Sequence, residues 1–576
     1  MPEATASDLA RFAASDHGHH AHSHSRRSRT ARLWKLVRAD SQDIRLIVLF
    51  AVAVGILNLA SPIAVEALVN SVAFGGLLQP IIVLALILCA CLTLSAGMIA
   101  LQYYLAELIQ RRLFARSTEA LARKLPLVQN AAWESQDPAK TVNRFFEIVT
   151  VQKVVSILLL DGISIILTAA IGMIVLAFYH PVLLAFDVGL LLAIVLLLLG
   201  GLKRGIATGI NESIAKYAVA GWLEEIVRCD GAFQTHSGGR LAHGVAGALT
   251  LRYLQARSDH FRVVFRQSIG GWFLQVVAVV MMLGIGGWLV LVGQMTLGQL
   301  VAAELIIAVV TGSVAKIGKY LENFYDLMAA VDKLGGFDDL PLDREDGEIP
   351  AADPAGATVR IVALSAAASA AKPAAKPIDL TVRPGMSAAI IGGEGAGKSL
   401  LAEVLTARRT AVEGTVEIDG VDLRQWQPQV LRERAALVEA GGIVEATILD
   451  NVRLGRPQVT AEEVRRALLA VELLDVVGAL PDGLETRLTT HGKPLSSGQS
   501  RRLLLARALA GRPQLLILDG CLDAIDEDRR RPVWRRIREE YPSTLLLMTA
   551  NSDLAELCDD ICRLEAPDTK SVGDPV

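Results

Sequence analysis

Residues 380–399 read LTVRPGMSAAIIGGEGAGKS, and this stretch decides the fold of the second half of the chain. Its apolar run Ala388–Ile391 predicts a short buried strand, and the P-loop spacing Gly-x-x-x-x-Gly-Lys-Ser follows directly. Glycines let backbone N–H groups turn toward a phosphate, and the N-terminus of the following helix adds positive potential. The predicted phosphate cradle consists of Gly392, Gly393, Glu394, Gly395, Ala396, Gly397, Lys398, Ser399 and Leu400.

Two side chains of this loop predict the cofactors. Lys398 is expected to reach the β- and γ-phosphates of ATP, and the Ser399 hydroxyl is expected to bind Mg²⁺. A second apolar strand, Leu515–Asp519, ends in an acid that would complete the Mg²⁺ site. The sequence therefore predicts an α/β P-loop domain that binds ATP and Mg²⁺.

A further motif, LSSGQ, lies upstream of the second strand. Its residues are Leu495, Ser496, Ser497, Gly498 and Gln499. The order of P-loop, LSSGQ, Mg²⁺ strand and the sequence DAID at Asp523–Asp526 resembles the nucleotide-binding domain of ABC transporters, in which LSSGQ would be the signature. The lead-in LPDGL at Leu480–Leu484 agrees, and the resemblance covers about Val359 to Leu564.

The resemblance also shows what is missing. In the family an aromatic residue before the P-loop stacks on adenine, whereas residues 351–390 contain no Phe, Tyr or Trp, and the matching stretch is Ser365–Ala368. A lost base stack is worth about 1–3 kcal/mol. The family's catalytic glutamate corresponds to Gly520, and losing a general base costs about 10²–10⁴-fold in rate. The switch histidine corresponds to Ala550.

A fourth departure concerns the glutamine that links the Mg²⁺ site to the membrane domain. Its position holds Glu439, which we expect to remain a Mg²⁺ ligand with Ser399 and Asp519.

ABC sites are shared across a dimer, because the P-loop of one chain faces the signature of the other. The resemblance therefore implies a degenerate site on this chain's P-loop and a usable signature for a second ABC chain, in a hetero- or homodimer.

The first half of the chain is strongly apolar. The whole sequence has 576 residues, 52% of them hydrophobic and 20% charged, and apolar residues dominate up to about residue 335. No Lys or Arg occurs in three windows, Leu46–Gln110, Val154–Leu202 and Gln267–Ala315. A membrane-crossing helix needs about 20 apolar residues, so each window has room for two crossings. The predicted outer turns lie near Phe74–Pro80, Tyr179–Pro181 and Gln294–Gly298.

Six spans and the positive-inside rule place both termini in the cytoplasm. Periodic apolar residues in the two long loops, about 111–152 and 203–265, predict that membrane helices continue into the cytoplasm. Separate soluble insertions are the alternative. With the nucleotide-binding domain, this resembles an ABC exporter half-transporter, nearest the peptide and type I secretion branch. That resemblance implies a bacterial inner-membrane location, and it makes a periplasmic adaptor a further candidate partner beside membrane lipid.

Four acidic residues lie inside the apolar windows: Glu66, Asp161, Asp187 and Glu304. A carboxylate at the centre of a membrane costs about 2.5–3.5 kcal/mol on insertion scales, so each should face a cavity, a partner or the interface. A polar translocation path and simple pairing across the bundle both remain open for Glu66 and Glu304. For the two aspartates, pairing or a place near a helix end is favoured.

The predicted domains follow from these patterns. They are a His/Arg-rich tail at 1–28, a six-span membrane domain at 29–335, a linker at 336–356, the nucleotide-binding domain at 357–566 and a tail at 567–576. The histidines between His17 and His24 could bind metal, but a disordered tail is favoured. No signal peptide is expected at the start, and no disulfide framework is expected from six cysteines. The net charge of −3 gives no reason to expect nucleic acid.

Two classes of function remain open. One is an ATP-driven exporter subunit that needs a second, competent ABC chain. The other is a homodimeric membrane protein in which ATP is a structural or regulatory ligand and is not hydrolysed. A homodimeric pump that uses another base is a third possibility, for which Asp523 lies close to Gly520 in the sequence. The cargo is not predicted, because apolar cavity linings suit lipids, peptides and drugs equally.

Overall fold

The computed structural model describes residues 31–34, 38–73, 78–135, 137–351, 353–365, 377–409, 413–439, 441–523 and 525–564. The histidine cluster, the C-terminal tail and three of the four residues at the expected adenine-stacking position, Ala366–Ala368, lie outside these ranges. The chain divides into two compact units. The first comprises the residues up to Pro126 and Gln136–Leu340, and the second comprises Leu127–Ser135 and the residues from Pro341.

The first unit is all helical. In chain order, the helices between Ser41 and Gly335 are α1 Ser41–Asn58, α2 Ala60–Ala73, α3 Leu78–Lys124, α4 Asn130–Ser135, α5 Pro138–Asn143, α6 Glu147–Ile157, α7 Ile163–Tyr179, α8 Pro181–Arg228, α9 Asp230–Phe233, α10 His236–Leu291, α11 Leu297–Ala315 and α12 Ile317–Gly335. Helix α4 belongs to the second unit, and the others belong to the first. Within the described residues, six helical segments are long and apolar enough to cross a membrane. They are Ser41–Val72, Gln79–Leu127, Lys140–Tyr179, Pro181–Arg228, His236–Leu291 and Leu297–Gly335.

The predicted turns and long helices are confirmed where the structure describes them. Helix α7 ends at Tyr179 and α8 begins at Pro181, while α10 ends at Leu291 and α11 begins at Leu297. Helix α8 is 48 residues long and α10 is 56 residues long, well beyond the roughly 20 needed for a crossing. Membrane helices therefore continue into both loops, as predicted, although the first loop is broken into short helices between Lys124 and Glu147.

The four acidic residues of the apolar windows have different surroundings. Glu66 accepts a hydrogen bond from the Tyr179 hydroxyl at 2.6 Å, which is pairing across the bundle. Asp161 is exposed and lies in a single π-helical turn, Leu158–Gly162, that joins α6 to α7. Asp187 is buried in the second turn of α8, and neither of its oxygens has a hydrogen-bond partner among the described residues. One oxygen of Glu304 is likewise buried and unpartnered there.

The second unit is an α/β domain. Its elements are β1 Val359–Ser365, β2 Ile378–Val382, β3 Ser387–Ile391, α13 Lys398–Leu405, β4 Glu413–Ile418, β5 Val421–Asp422, α14 Pro428–Arg434, β6 Ala435–Val438, α15 Ile448–Arg453, α16 Ala461–Ala470, α17 Leu474–Gly478, α18 Ser497–Ala510, β7 Leu515–Asp519, α19 Glu527–Glu540, β8 Thr544–Thr549, α20 Ser552–Ala555 and β9 Asp560–Arg563. Both predicted strands are present, and β7 has the predicted bounds.

These strands form two sheets in the described part of the domain. One is antiparallel with the order β2-β1-β4-β5, and the other is parallel with the order β6-β7-β8-β3-β9. The central strands of the parallel sheet are almost wholly apolar because both faces are covered, as parallel sheets require. Since β3 and β7 both pair with β8, their carboxyl ends meet at the same edge of the sheet.

At the opposite edge of this sheet, the carboxylate of Asp559 accepts hydrogen bonds from Arg538 and Ser387, and this group of contacts is called the anchor. The Arg538 guanidinium donates to both oxygens of Asp559, at 3.0 and 2.9 Å, and the Ser387 backbone N–H and hydroxyl donate to Oδ2 at 2.8 and 2.7 Å. Burial opposes ionisation, but these donors outweigh it and hold the pKa of Asp559 below its ordinary value. The anchor therefore ties β3 to β9.

An Asp559→Asn variant should lower the stability of the domain by about 1–2 kcal/mol at pH 7, because charged hydrogen bonds are lost. A carboxylate whose folded pKa is lowered stabilises the fold above its unfolded pKa of about 3.9, and this contribution disappears as the pH falls through the folded value. The difference should therefore shrink below about pH 4. Thermal unfolding of the full chain in detergent measures it. The exposed neighbour Asp560→Asn is the control, and an equal loss in that variant would contradict the assignment.

Candidate nucleotide-binding site

The P-loop joins the buried strand β3 to helix α13. Gly395 and Gly397 have φ values of +77° and +93°, the left-handed region in which side chains are strained. A Cβ atom at Gly392 would lie 2.8 Å from the Ala396 Cβ, so this position also requires glycine. Three of the four glycines of the predicted cradle, Gly392, Gly395 and Gly397, are therefore required by the backbone, whereas Gly393 has open space around it.

Lys398 is the first residue of α13. Its ammonium donates to the carbonyl oxygens of Gly392 at 2.7 Å and Gly393 at 2.9 Å, which closes the loop on itself. Gly393, Glu394 and Gly395 are exposed at the tip, and Ser399 is exposed in the first turn of α13. The helix N-terminus, the lysine and the serine hydroxyl thus surround one accessible space, which fits a phosphate and its metal ion.

Asp519 ends β7 and is partly exposed at the edge where the P-loop begins. Strands β7 and β3 are separated only by β8, so Asp519 and the start of the P-loop lie about 10 Å apart across the sheet. Asp519 and the start of the P-loop therefore lie at the same end of the parallel sheet, and Ser399 and Asp519 stay the predicted Mg²⁺ ligands.

Gly520 follows Asp519 in a left-handed conformation, with a φ of +59°. Its N–H donates to the Met548 carbonyl oxygen at 3.0 Å, which fixes the backbone against β8. A Cβ atom built at Gly520 would meet only Asp523 Oδ2, at 3.9 Å. The position therefore has space for a side chain, but glycine has no group that could activate a water molecule.

Asp523 brings the nearest carboxylate to this position. Its Oδ1 accepts a hydrogen bond from the Thr549 hydroxyl at 2.7 Å, and the Asn551 N–H donates to that hydroxyl at 2.9 Å. Ala550, at the family's histidine position, lies exposed between these two residues. Asp523 is close to Gly520 in the sequence, but its link to Thr549 could not be predicted because the two residues are 26 positions apart.

Glu439 lies exposed after β6 and forms an ion pair with Arg408, which follows α13. Its carboxylate therefore has a local cation as a partner. Among the described residues, no group of three or more His, Cys, Asp or Glu side chains forms a ready-made metal site. Glu439 therefore stays a predicted Mg²⁺ ligand beside Ser399 and Asp519, and its carboxylate pairs with Arg408 in this structure.

The LSSGQ motif forms the beginning of helix α18. Ser496 is the N-cap: its hydroxyl accepts from the Gln499 N–H at 3.2 Å, and the Gln499 side chain accepts from the Ser496 N–H at 2.8 Å. Leu495 is buried, whereas Ser496 and Ser497 are exposed and Gly498 and Gln499 are partly exposed. This reciprocal capping box presents an exposed N-terminus of a 14-residue helix, where backbone N–H groups favour an anion.

A segment between the second and third spans belongs to the same compact unit as this domain. Within Leu127–Ser135, Glu134 pairs with Arg409, and the Gln129 side chain donates to the Leu342 carbonyl oxygen at 3.0 Å. No local sequence pattern predicts these contacts, because they join residues more than 200 positions apart.

Comparisons with known proteins agree with this geometry. The ABC transporter family model matches residues 375–523. The solved structure of a bacterial Atm1-family ABC exporter with ATP bound shares the fold, with a TM-score of 0.81 and 17% identity over 92% of this chain and 94% of that chain. The chain has an ABC transporter domain within an ABC exporter fold. It is thus a half-transporter in architecture, with six candidate spans fused to an ATP-binding domain.

The curated relatives that this chain resembles include two kinds of bacterial protein. A multidrug efflux ATP-binding/permease protein of Mycobacterium tuberculosis is 31% identical over 294 residues, which are 50% of this chain and 24% of that protein. An exotoxin translocation ATP-binding protein of Pasteurella aerogenes is 28% identical over 291 residues, 49% of this chain and 40% of that protein. The chain therefore spans a quarter to two fifths of the length of these relatives, one of which is an efflux protein and the other an exotoxin translocation protein.

Proposed function

We propose that the chain is a subunit of an ATP-driven membrane exporter, that its own P-loop site is degenerate, and that it works in a dimer with a second, competent ABC chain. The observation that carries this proposal is Gly520. The residue after Asp519 has no side chain, and its backbone is held to Met548 in a conformation that favours glycine. The P-loop beside it retains the groups that hold a triphosphate.

Asp523 does not make up for the missing glutamate in this proposal. One of its oxygens is hydrogen-bonded to the Thr549 hydroxyl, so the carboxylate is partly committed to holding the ends of β7 and β8 together. A general base needs a free oxygen within about 3 Å of the attacking water. The test of Asp523 is given with the Gly520 variants below.

The signature is the part that serves the partner. Its serine cap and exposed helix N-terminus can donate to the γ-phosphate bound on the second chain's P-loop. Ser497, where the family often has glycine, is exposed and adds only a hydroxymethyl group, so it leaves this surface accessible. We therefore propose that ATP is hydrolysed at the site formed by the partner's P-loop and this chain's LSSGQ.

Coupling to the membrane helices would use the two long helical loops. Trp222–Ile226, our candidate contact to the partner's nucleotide-binding domain, forms the last turns of α8. The Trp222 indole donates to the Ala242 carbonyl oxygen at 3.0 Å and packs edge-on against Phe233, which fixes the exposed tip around α9. The spans and basic loops support a bacterial inner membrane with both termini in the cytoplasm.

Co-purification from native membrane tests the proposed partnership. Tagged chain extracted in mild detergent should carry a second ABC protein with a glutamate after its own Mg²⁺ aspartate and a histidine after the next strand. Recovery of the chain with only itself, and without ATP hydrolysis, would favour the homodimer in which ATP is a structural or regulatory ligand.

A Lys398→Ala variant tests whether the P-loop holds ATP. Because Lys398 is expected to contact the β- and γ-phosphates, its loss should weaken binding of a non-hydrolysable ATP analogue by about tenfold or more, at about 1.5–3 kcal/mol per charged hydrogen bond. Equilibrium binding to the full chain in detergent measures this. Lys493→Ala changes a lysine outside the P-loop in the same domain and should bind normally, whereas equal affinity for both variants would contradict the assignment.

A further inference from the structure

An ion pair joins the turn after helix α13 to the loop after strand β6. The Nη1 atom of Arg408 in that turn donates to Oε1 of Glu439, the first residue after β6. Both side chains are partly exposed, Arg408 to 30% and Glu439 to 45%. Glu439 stands where the resemblance places the glutamine of the ABC family, so the partner of this carboxylate bears directly on the predicted Mg²⁺ site.

The turn that carries Arg408 has a fixed backbone. The Arg408 N–H donates to the Glu403 carbonyl oxygen at 2.8 Å, and Ala407 beside it has a φ of +48°. The Arg432 guanidinium donates to the carbonyl oxygens of Thr406 at 3.2 Å and Ala407 at 2.7 Å. The start of the Arg408 side chain is therefore held in one place, from which its guanidinium extends to the ion pair.

Strand register brings Glu439 to the same level of the sheet as Asp519. Strands β6 and β7 are parallel neighbours, and Val438 pairs with Leu518 at their carboxyl ends. The next residues along the two strands are Glu439 and Asp519, and matching positions of neighbouring strands lie about 5 Å apart with their side chains on the same face. Glu439 therefore starts close enough to Asp519 to share a metal ion with it.

Arg408 and a Mg²⁺ ion would use the same carboxylate of Glu439. Mg²⁺ takes oxygen ligands, and proteins usually bind it through one or two carboxylates together with substrate phosphates. A carboxylate that is paired with a guanidinium has its negative charge balanced, so it attracts a metal ion less strongly. The pair is neutral as a whole, as the family's glutamine is. Because a partly exposed ion pair is weak, a divalent ion can displace the guanidinium.

We propose that Arg408 is a positioning residue, which competes with Mg²⁺ for the Glu439 carboxylate and so lowers the metal affinity of this chain's own ATP site. Glu439 is turned to Arg408 in the ion pair, and it becomes a further protein ligand beside Ser399 and Asp519 when the pair opens. This site therefore requires more Mg²⁺ than it would with an unpaired Glu439. The inference rests on the proposed binding of ATP at the P-loop.

The Mg²⁺ dependence of nucleotide binding tests the role of Arg408. The full chain in detergent is titrated with Mg²⁺ at a fixed concentration of a fluorescent, non-hydrolysable ATP analogue, and the half-maximal Mg²⁺ concentration is measured. Arg408→Gln removes a positive charge near the divalent ion and frees the Glu439 carboxylate, so this concentration should fall about tenfold. In EDTA the same variant should bind the analogue no more tightly than the unchanged chain, because the loss of a positive charge gives no attraction for phosphates.

Three variants separate competition at Glu439 from a general effect of charge. Arg409→Gln removes the neighbouring arginine, which pairs with Glu403 and Glu134, and should change the Mg²⁺ requirement by less than about twofold because exposed charges are screened. Arg408→Lys retains the charge and should behave like the unchanged chain. Glu439→Gln removes the carboxylate itself, so adding Arg408→Gln to it should lower the Mg²⁺ requirement by less than about threefold.

Three results would overturn the role of Arg408: an unchanged Mg²⁺ requirement in Arg408→Gln, an equal shift in Arg409→Gln, or an undiminished effect of Arg408→Gln in the presence of Glu439→Gln. Normal binding of the analogue with any of these results contradicts this inference alone. Failure of the chain to bind the analogue at every Mg²⁺ concentration would contradict both this inference and the retained P-loop of the proposed function. The two are therefore distinguished in one titration.

Discussion

A Gly520→Glu variant should hydrolyse ATP about 10- to 10³-fold faster than the unchanged chain when each is purified alone and reconstituted at high density. A positioned general base contributes about 10²–10⁴-fold. The gain should be reduced by about tenfold, because a side chain in the left-handed region costs about 1–2 kcal/mol and Gly520 has a φ of +59°. Space is available, since only Asp523 Oδ2 lies within 4 Å of the new Cβ position.

Three matched variants separate the possible causes of such a gain. Gly520→Gln has nearly the same shape as Gly520→Glu but no base, so it should remain as slow as the unchanged chain. Gly520→Ala carries the backbone strain alone. Adding Ala550→His to Gly520→Glu restores the second missing group and should raise the rate further. Phosphate release, with each rate corrected for the amount of bound ATP analogue, measures all of them.

Asp523→Asn tests whether another carboxylate already acts as the base. Thr549 can still donate to the amide oxygen, so the end of the sheet should keep its geometry. In the degenerate site the substitution should change the residual rate by less than about threefold, because no base is lost. If the unchanged chain hydrolyses ATP at ordinary exporter rates and both Asp523→Asn and Lys398→Ala abolish this, the degenerate site is the wrong interpretation.

The elements of the fold could be predicted from local patterns. The six spans followed from three windows without Lys or Arg, and β7 followed from the apolar run Leu515–Asp519. These signals are local, because burial in a membrane or in a two-sided sheet constrains every residue of a segment. The P-loop conformation was predictable for the same reason, since the backbone needs glycine at Gly392, Gly395 and Gly397.

The features that the sequence did not reveal depend on contacts between distant residues. The Thr549–Asp523 hydrogen bond joins the ends of two strands, and the Arg409–Glu134 pair links residues 275 positions apart. The π-helical turn at Leu158–Gly162 has no composition of its own, because leucine-rich sequence suits an ordinary helix equally well. Asp187 lies in the second turn of α8, which agrees with the expected place near a helix end, whereas its unpartnered burial depends on packing and could not be predicted.

The second large effect should come from the signature. In the complex with the competent partner, Gly498→Asp in this chain should reduce ATP hydrolysis by about 10³-fold. Gly498 lies in the first turn of α18, where the partner's γ-phosphate would bind. A carboxylate about 4 Å from that phosphate costs about 4 kcal/mol at an effective dielectric constant near 20. An acid near a helix N-terminus is favourable for the helix itself, so the loss would not reflect unfolding.

One control uses a second capping box of the same kind, which lies elsewhere in the described part of this domain. Thr460 caps α16 through Glu463 as Ser496 caps α18 through Gln499, so Thr460→Ala removes an equivalent cap away from the site and should leave hydrolysis almost unchanged. Gly498→Asn adds similar bulk without charge and should reduce the rate of ATP hydrolysis much less than Gly498→Asp does.

Lys398→Ala should reduce the ATPase activity of the complex by less than about tenfold, because this chain's P-loop does not form the hydrolytic site. Steady-state phosphate release from the reconstituted complex decides the matter: if Lys398→Ala were as damaging as Gly498→Asp, both sites would be hydrolysing and the asymmetric dimer would be excluded.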